Sequence, residues 1–333
     1  MAETTIADLY LPGAVSPVLR ARLYDTNNLT AYGAAVFDPS DLAMQGGNSV
    51  TVRQNNMVNV SAFADNSTGR TPVGPTMRAV VAPILRRWFL LGISKRIKEA
   101  LGAGNSEAIN QEIVDQASPM WAREMRTAAI KALIGATDPT TGCLAATNVH
   151  AVNDTKGTGK ANFNAVADAK AKTGDASGEL GVAFFHSKVY NDLYKEDAAK
   201  FKTELLTLSS GAQVKVELFQ GMYVMQLDAL GSTGTGGAGD PKVYRSLLVR
   251  PGALVYFLQS NLEVEEGPDM TTRRQLFSHA LPFGVGIYGV SWKGTPADAE
   301  AGATDVELAT PANWEVKATD PAREVGLSVL LSN

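Results

Sequence analysis

Residues 76–91 read TMRAVVAPILRRWFLL, an apolar, partly β-branched run with strand character. Before it lies the polar, turn-rich stretch NNMVNVSAFADNSTGRTPVGP (55–75), and before that NSVTVRQ (48–54), which alternates with Val50 and Val52 on one side. Two extended arms around a polar tip predict a long hairpin. A projecting two-stranded ribbon has no interior of its own. Val80, Val81, Ile84, Leu85, Trp88 and Phe89 therefore call for cover from a neighbouring molecule, as in a subunit that assembles. The charges of the hairpin are all arginine apart from Asp65, with Arg70, Arg78, Arg86 and Arg87 prominent, and no lysine occurs before Lys95. Arginine's planar fork suits bidentate carboxylate contacts at interfaces. Arg70, Arg78, Arg86, Arg87, Trp88 and Phe89 are the candidate contact residues.

The clearest periodicity follows at 106–134. Ile109, Ile113, Ala117, Trp121, Met125, Ala129 and Leu133 recur every fourth residue and trace one helical face. Ser106 is placed to cap the start, Lys131 lies near the end, and Gly135 reads as the stop. Such a helix would be roughly 40 Å long. Pro119 removes one backbone hydrogen bond. Either the helix kinks there, the preferred reading, or it restarts with Ser118 as cap.

Elsewhere the chain reads as mixed α/β. Residues 1–47 hold scattered apolar residues among Gly and Pro and read as an extended arm lying on another surface. Asn162 caps a predicted helix from Phe163 to Lys172, ending at Gly174. VAFF (182–185) reads as a buried strand and SKVYNDLYK (187–195) as a helix, with Val189 over Leu193 and Tyr190 over Tyr194. QVKVEL and MYVMQL form a hairpin through Gly221. YRSLLVR and ALVYFLQ flank Pro251-Gly252. NLEVEE turns through Gly267-Pro268-Asp269 into TTRRQLFSHAL, which would set Glu265 and Glu266 near Arg273 and Arg274. The end is a strand, VGLSVLL (325–331).

Chemistry-bearing motifs are weak. His186-Ser187 lacks a nucleophile elbow, and adjacent residues rarely reach base-to-nucleophile geometry; Ser187 reads instead as the cap of the helix from Lys188. His150 and His279 stand alone. With three histidines and one cysteine, Cys143, no metal spacing occurs and no intramolecular disulfide is possible. The glycine-rich loops 155–161 and 231–240 lack the Gly-Lys-Ser/Thr ending of a phosphate cradle. No catalytic residue, cofactor or metal is expected. The net charge of −4 argues against direct nucleic-acid binding and favours protein partners. No signal peptide or membrane span is read, so a soluble protein made in the cytoplasm is expected.

NFNAVADAKAKTGD followed by VAFFHSKVYNDLYK, then VELFQGMYVMQLDAL, LFSHALPFGVGIYGVSWKG and late ANWEV stand in an order behind an arm, a loop and a long helix. In that arrangement the sequence resembles the major capsid proteins of tailed bacteriophages, of the Hong Kong 97-like fold. The resemblance implies an α+β chain with an N-terminal arm at 1–47, an extended loop at 48–92 and a peripheral domain with a spine helix at 93–137. An axial domain would occupy 138–250, and peripheral-domain strands with the C-terminal segment 251–333. It further implies pentamers and hexamers closing an icosahedral head around double-stranded DNA, assembled in the host bacterial cytoplasm, without sequence-specific DNA contact. Some relatives weld subunits by a lysine–asparagine bond from the extended loop; with no lysine before Lys95 that chemistry is expected to be absent. A strand by residue 48 leaves no room for an N-terminal scaffolding region, so a separate scaffold is expected, with portal and cement proteins as further partners. The alternatives are an encapsulin-type nanocompartment shell, another virion component such as a tail protein, and a hydrolase using Ser187 or His186.

Overall fold

The apolar run at 76–91 belongs to a single strand, Met77–Ser94, and much of its cover comes from its own chain. The computed structural model describes residues 22–23, 27–38, 49–55, 77–94, 106–153, 157–207, 213–233, 240–258, 263–269, 274–298 and 300–333. In chain order, helix α1 (Asn28–Ala31) and strand β1 (Ala35–Phe37) precede β2 (Ser49–Asn55) and β3 (Met77–Ser94). The long helix α2 (Ser106–Ala136) leads to α3 (Ala145–Asn148) and β4 (Val149–Ala151). Next come α4 (Phe163–Ala171), β5 (Val182–Phe185), α5 (Ser187–Glu196), β6 (Phe201–Thr207) and β7 (Gln213–Phe219). They are followed by β8 (Met222–Gln226), β9 (Ser232–Thr233) and β10 (Val243–Val249). The remainder comprises β11 (Leu254–Leu258), β12 (Glu263–Asp269), β13 (Arg274–Ile287), β14 (Val290–Trp292), α6 (Asp305–Ala309), β15 (Trp314–Val316), α7 (Pro321–Glu324) and β16 (Leu327–Ser332).

The expected hairpin forms: β2 pairs antiparallel with β3, from Ser49 opposite Pro83 to Asn55 opposite Met77. Its tip lies outside the described residues. The expectation that the whole apolar face needs a neighbour is corrected. Beyond Pro83, β3 pairs with β13 through eleven successive residues, Ile84 opposite Gly284 to Ser94 opposite Arg274. That pairing turns Leu85 onto the chain's own core, and Val80, Ile84 and Leu85 are all buried. Val81 and Phe89 are half-buried against the core. Residues 27–38 are also part of the body, so the described part of the expected arm is not extended over another surface. Leu29 and Phe37 enter the main core, and β1 lies parallel to β11.

Helix α2 runs unbroken from 106 to 136, so Pro119 lies inside one helix and no restart occurs at Ser118. Ala117, Trp121, Met125, Ala129 and Leu133 are at most 1% exposed, so the four-residue spacing marks the buried face from Ala117 on. Fully burying side chains of this size stabilises the fold by about 1.5–3 kcal/mol for each large one. The helix packs between two sheets. One holds β1, β11, β13, β14 and β15 in order, with β12 and β3 beside β13 and β2 beside β3. The other runs β4-β16-β10-β5-β8-β7-β6, with β9 beside β10. The turn at Pro251-Gly252, where Gly252 has φ +74°, carries the chain from the second sheet to the first.

The second sheet is covered on both faces. Val182, Phe184, Leu247 and Val329 face the α2 core, while Ala183, Phe185, Leu248 and Leu330 face α4 and α5. The last strand, β16, sits in this sheet between β4 and β10. Its six residues are all buried, which suits a central strand covered on both faces. In the first sheet, β12 continues through Gly267 and Pro268 to Asp269. The register therefore sets Glu265 opposite Ser278 and Glu266 opposite Phe277, with Arg274 opposite Asp269. Arg274 thus stands opposite Asp269 and not opposite a glutamate, which overturns the expected pairing with Arg274; Arg273 lies outside the described residues.

Gly135 is a further correction: it is not a helix stop but an interior residue of α2. A Cβ there would lie 2.3 Å from the Leu308 backbone oxygen and 2.8 Å from Trp314 Nε1. The glycine lets α6 and β15 approach the helix, where Trp314 Nε1 donates to the Leu308 carbonyl at 2.7 Å. Gly135→Ala is expected to destabilise the subunit by about 1–3 kcal/mol through overpacking, despite alanine's better helix propensity. Thermal unfolding of the variant checks this, with a raised melting temperature as the contrary result.

Candidate assembly surface

The strand period decides what β3 presents. Leu85, Arg87 and Phe89 point to the α2 side, and Arg86 and Trp88 to the other. Phe89 lies 4.8 Å, centroid to centroid, from Trp121 of α2. Arg87 Nη2 pairs with Asp305 Oδ1 of α6 at 2.8 Å. Arg86 is exposed, and its Nη1 donates to the Glu300 carbonyl at 3.4 Å. Trp88 is 67% exposed. It is a large indole standing in water on a strand whose other face is core, the kind of side chain enriched at interface hot spots.

Of the expected contact residues, the structure brings Arg86 and Trp88 to one open face. Arg87 and Phe89 are turned toward the chain's own helices. Arg78 is turned inward: it is 8% exposed and forms an ion pair with Glu324 of α7. Arg70 lies outside the described residues. Other exposed apolar residues escaped the sequence reading. Met77 is 63% exposed beside the hairpin tip and Val306 77% exposed on α6. Leu205 and Val214 project from the β6–β7 hairpin, whose β6 ends the second sheet. FKTELLT (201–207) alternates from Phe201 to Leu205, and that signal marks β6.

The possible chemistry at 186–187 resolves into a helix start. Helix α5 begins at Ser187, so the cap is His186 rather than Ser187: His186 Nδ1 accepts from Lys188 N at 3.1 Å. Asp228 Oδ1 accepts from Ser187 N at 2.7 Å and lies 3.6 Å from His186 Nδ1. In a hydrolytic triad the imidazole stands between serine and carboxylate. Here the carboxylate takes the serine's backbone amide and the imidazole Nδ1 caps the helix, its ring tilted against Tyr244 at 4.6 Å. The bond from the Ser187 amide, chiefly, holds Asp228 below the usual carboxylate range. Burial pushes the Cys143 thiol up to about 11, away from nucleophilic use at neutral pH. Among the described residues no group of His, Cys, Asp and Glu could hold a metal, and no helix is long and apolar enough to cross a membrane.

The comparisons decide the family. The sequence matches the major capsid protein 13-like family (Gp13-like) over residues 101–326, more than half of the chain. The chain belongs to this family. It is a tailed-phage major capsid protein, with its place in the virion capsid. No curated protein sequence matches it. The fold is similar to that of the capsid of Ralstonia phage GP4, at 10% identity and a TM-score of 0.56, covering 93% of this chain and 90% of that one. It is similar also to the capsid of cyanophage Pam1, at 11% identity and TM-score 0.51, covering 95% and 93%. The acid-stable capsid of Helicobacter pylori bacteriophage KHP30 matches at 11% identity and TM-score 0.50, covering 94% and 90%. At these identities the likeness is one of fold, the Hong Kong 97-like capsid fold. The capsid protein assembles with copies of itself.

Two outcomes follow from this geometry. In Trp88→Ser the subunit is expected to keep its wild-type melting temperature, because the indole contacts little of its own chain, while sedimentation shows loss of assembly. At the helix start, His186→Ala is expected to cost about 1 kcal/mol as a lost cap and Ser187→Ala less. Because Asp228 is held low in the folded state, its contribution is full above the unfolded aspartate pKa of about 3.9 and fades as pH falls through the folded value. Urea titrations at neutral and acid pH read both effects.

Proposed function

We propose that the capsid protein builds its shell from pentamers and hexamers in which the hairpin of one copy lies over the next, with Trp88 and Arg86 at the contact. The observation that carries this reading is the 67% exposure of Trp88 on a strand otherwise anchored in the core. Burying one such side chain contributes about 1.5–3 kcal/mol per contact. A closed shell repeats the contact in every copy, so weak individual joints become a cooperative whole. Arg86 adds a directional partner for a carboxylate of the neighbour.

In this reading residues 48–92 are the extended loop, 93–137 the peripheral domain with its spine helix, 138–250 the axial domain, and 251–333 the returning strands and C-terminal segment. The role is structural, without catalysis. The absence of any lysine before Lys95 supports a shell held by non-covalent contacts rather than by lysine–asparagine welding through the loop. The slight acidity of the chain suits a container that encloses double-stranded DNA without binding it by sequence. Assembly takes place in the bacterial host cytoplasm with a separate scaffold, a portal and cement proteins.

Removing residues 60–75, between β2 and β3, tests the reading. The shortened chain is expected to remain folded and to stay as monomers or loose capsomers under the electron microscope. Normal closed shells from that chain would contradict it.

A further inference from the structure

At the root of the hairpin a closed network ties four distant segments together. Arg78 of β3 pairs with Glu324 of α7 across 246 positions of sequence, with side chains only 6% and 4% exposed. Gln54, the cross-strand partner of Arg78, uses one oxygen to accept from Arg78 Nε at 3.5 Å and from Gly289 N at 2.9 Å. Val81 N donates to Ser291 Oγ at 3.0 Å, so both strands of the hairpin are fastened to the β13–β14 turn. The Tyr288 ring lies near two guanidiniums, Arg78 at 5.1 Å and Arg250 at 5.3 Å. Arg250 reaches the Glu324 carbonyl at 3.2 Å and Glu179 at 3.0 Å. The second oxygen of Glu324 accepts from Asp320 N at 3.1 Å.

Two glycines make room for the network. Gly289 has φ +76°, and a Cβ there would lie 3.3 Å from Arg78 Nη2; Gly326 has φ +64°, and its Cβ would come 2.8 Å from Arg250 Nε. Yet Arg78 Nη2 is buried without a partner. A buried ion pair with a stranded donor is a poor source of stability compared with two apolar side chains of the same size. What it supplies better than apolar packing is direction, because guanidinium and carboxylate meet only in a few geometries.

We propose that Arg78 and Glu324 are positioning residues for assembly: they hold the paired strands 49–55 and 77–83 against α7 and the β13–β14 turn, and so fix where the hairpin is presented to the next copy. This rests on the assembly reading above.

The test compares Arg78→Met, Glu324→Met and the double variant, with thermal unfolding and amide exchange measured on unassembled subunits and particle size measured after assembly. Each single variant strands a buried charge and is expected to melt lower; the double variant is expected to recover most of that loss. In the double variant the amides of 49–55 and 77–83 are expected to exchange at least tenfold faster, with 117–136 unchanged, and particles to broaden in diameter. Should the double variant not fold, Glu324→Gln, which keeps the shape and removes the charge, is expected to speed the same amides severalfold. Unchanged exchange at the hairpin in either variant overturns the positioning role itself. Faster exchange with uniform, normal shells overturns the link from hairpin placement to assembly, while leaving the part played by Trp88 to its own test.

Discussion

The pairing of β3 with β13 is the contact on which the rest of the subunit depends. It continues the hairpin strand into the main sheet, so that one strand belongs first to a projecting ribbon and then to the body. Its inner face closes the core over α2, where Phe89 meets Trp121. Its outer face presents Arg86 and Trp88. One run of hydrogen bonds thereby couples folding of the subunit to display of its joint, because Trp88 cannot be held outward unless Leu85 and Phe89 are held inward.

The close approach around this pairing is made by small residues. Built Cβ atoms at Gly284 and Gly286 would fall 3.2 and 3.1 Å from the Phe257 ring, so the two glycines let Phe257 of β11 lie flat on the sheet. Gly302, with φ +72°, sits against the Ile84 carbonyl, where the segment before α6 runs along β3. Gly135 does the same between α2 and Trp314. The body is drawn together by backbones in close contact.

How much of this was legible in the sequence depends on how local the cause is. The long helix, read over 106–134, the Asn162 cap, the VAFF strand and the hairpin through Gly221 follow from periodicity, a capping side chain or a turn glycine, all within a few residues. The self-burial of Val80, Ile84 and Leu85 was not legible, because the covering strand β13 lies nearly two hundred positions away. Gly135 misled because a glycine that ends a helix and a glycine that admits a neighbour look alike in one dimension. His186 and Ser187 are both able to cap, and only the backbone shows that the helix starts at the second. Trp88 and Arg78 were both read as contact residues from composition. Strand alternation and the distant Glu324 send one outward and the other inward.

The account stands on Trp88 being an intersubunit anchor, and a cryo-EM reconstruction of particles assembled from the wild-type chain tests it most directly. It predicts that in the shell the Trp88 indole lies within about 4 Å of a neighbouring copy and is closed off from solvent, with Arg86 beside a carboxylate of that neighbour. A reconstruction with the indole still open to water in every capsomer position would contradict it.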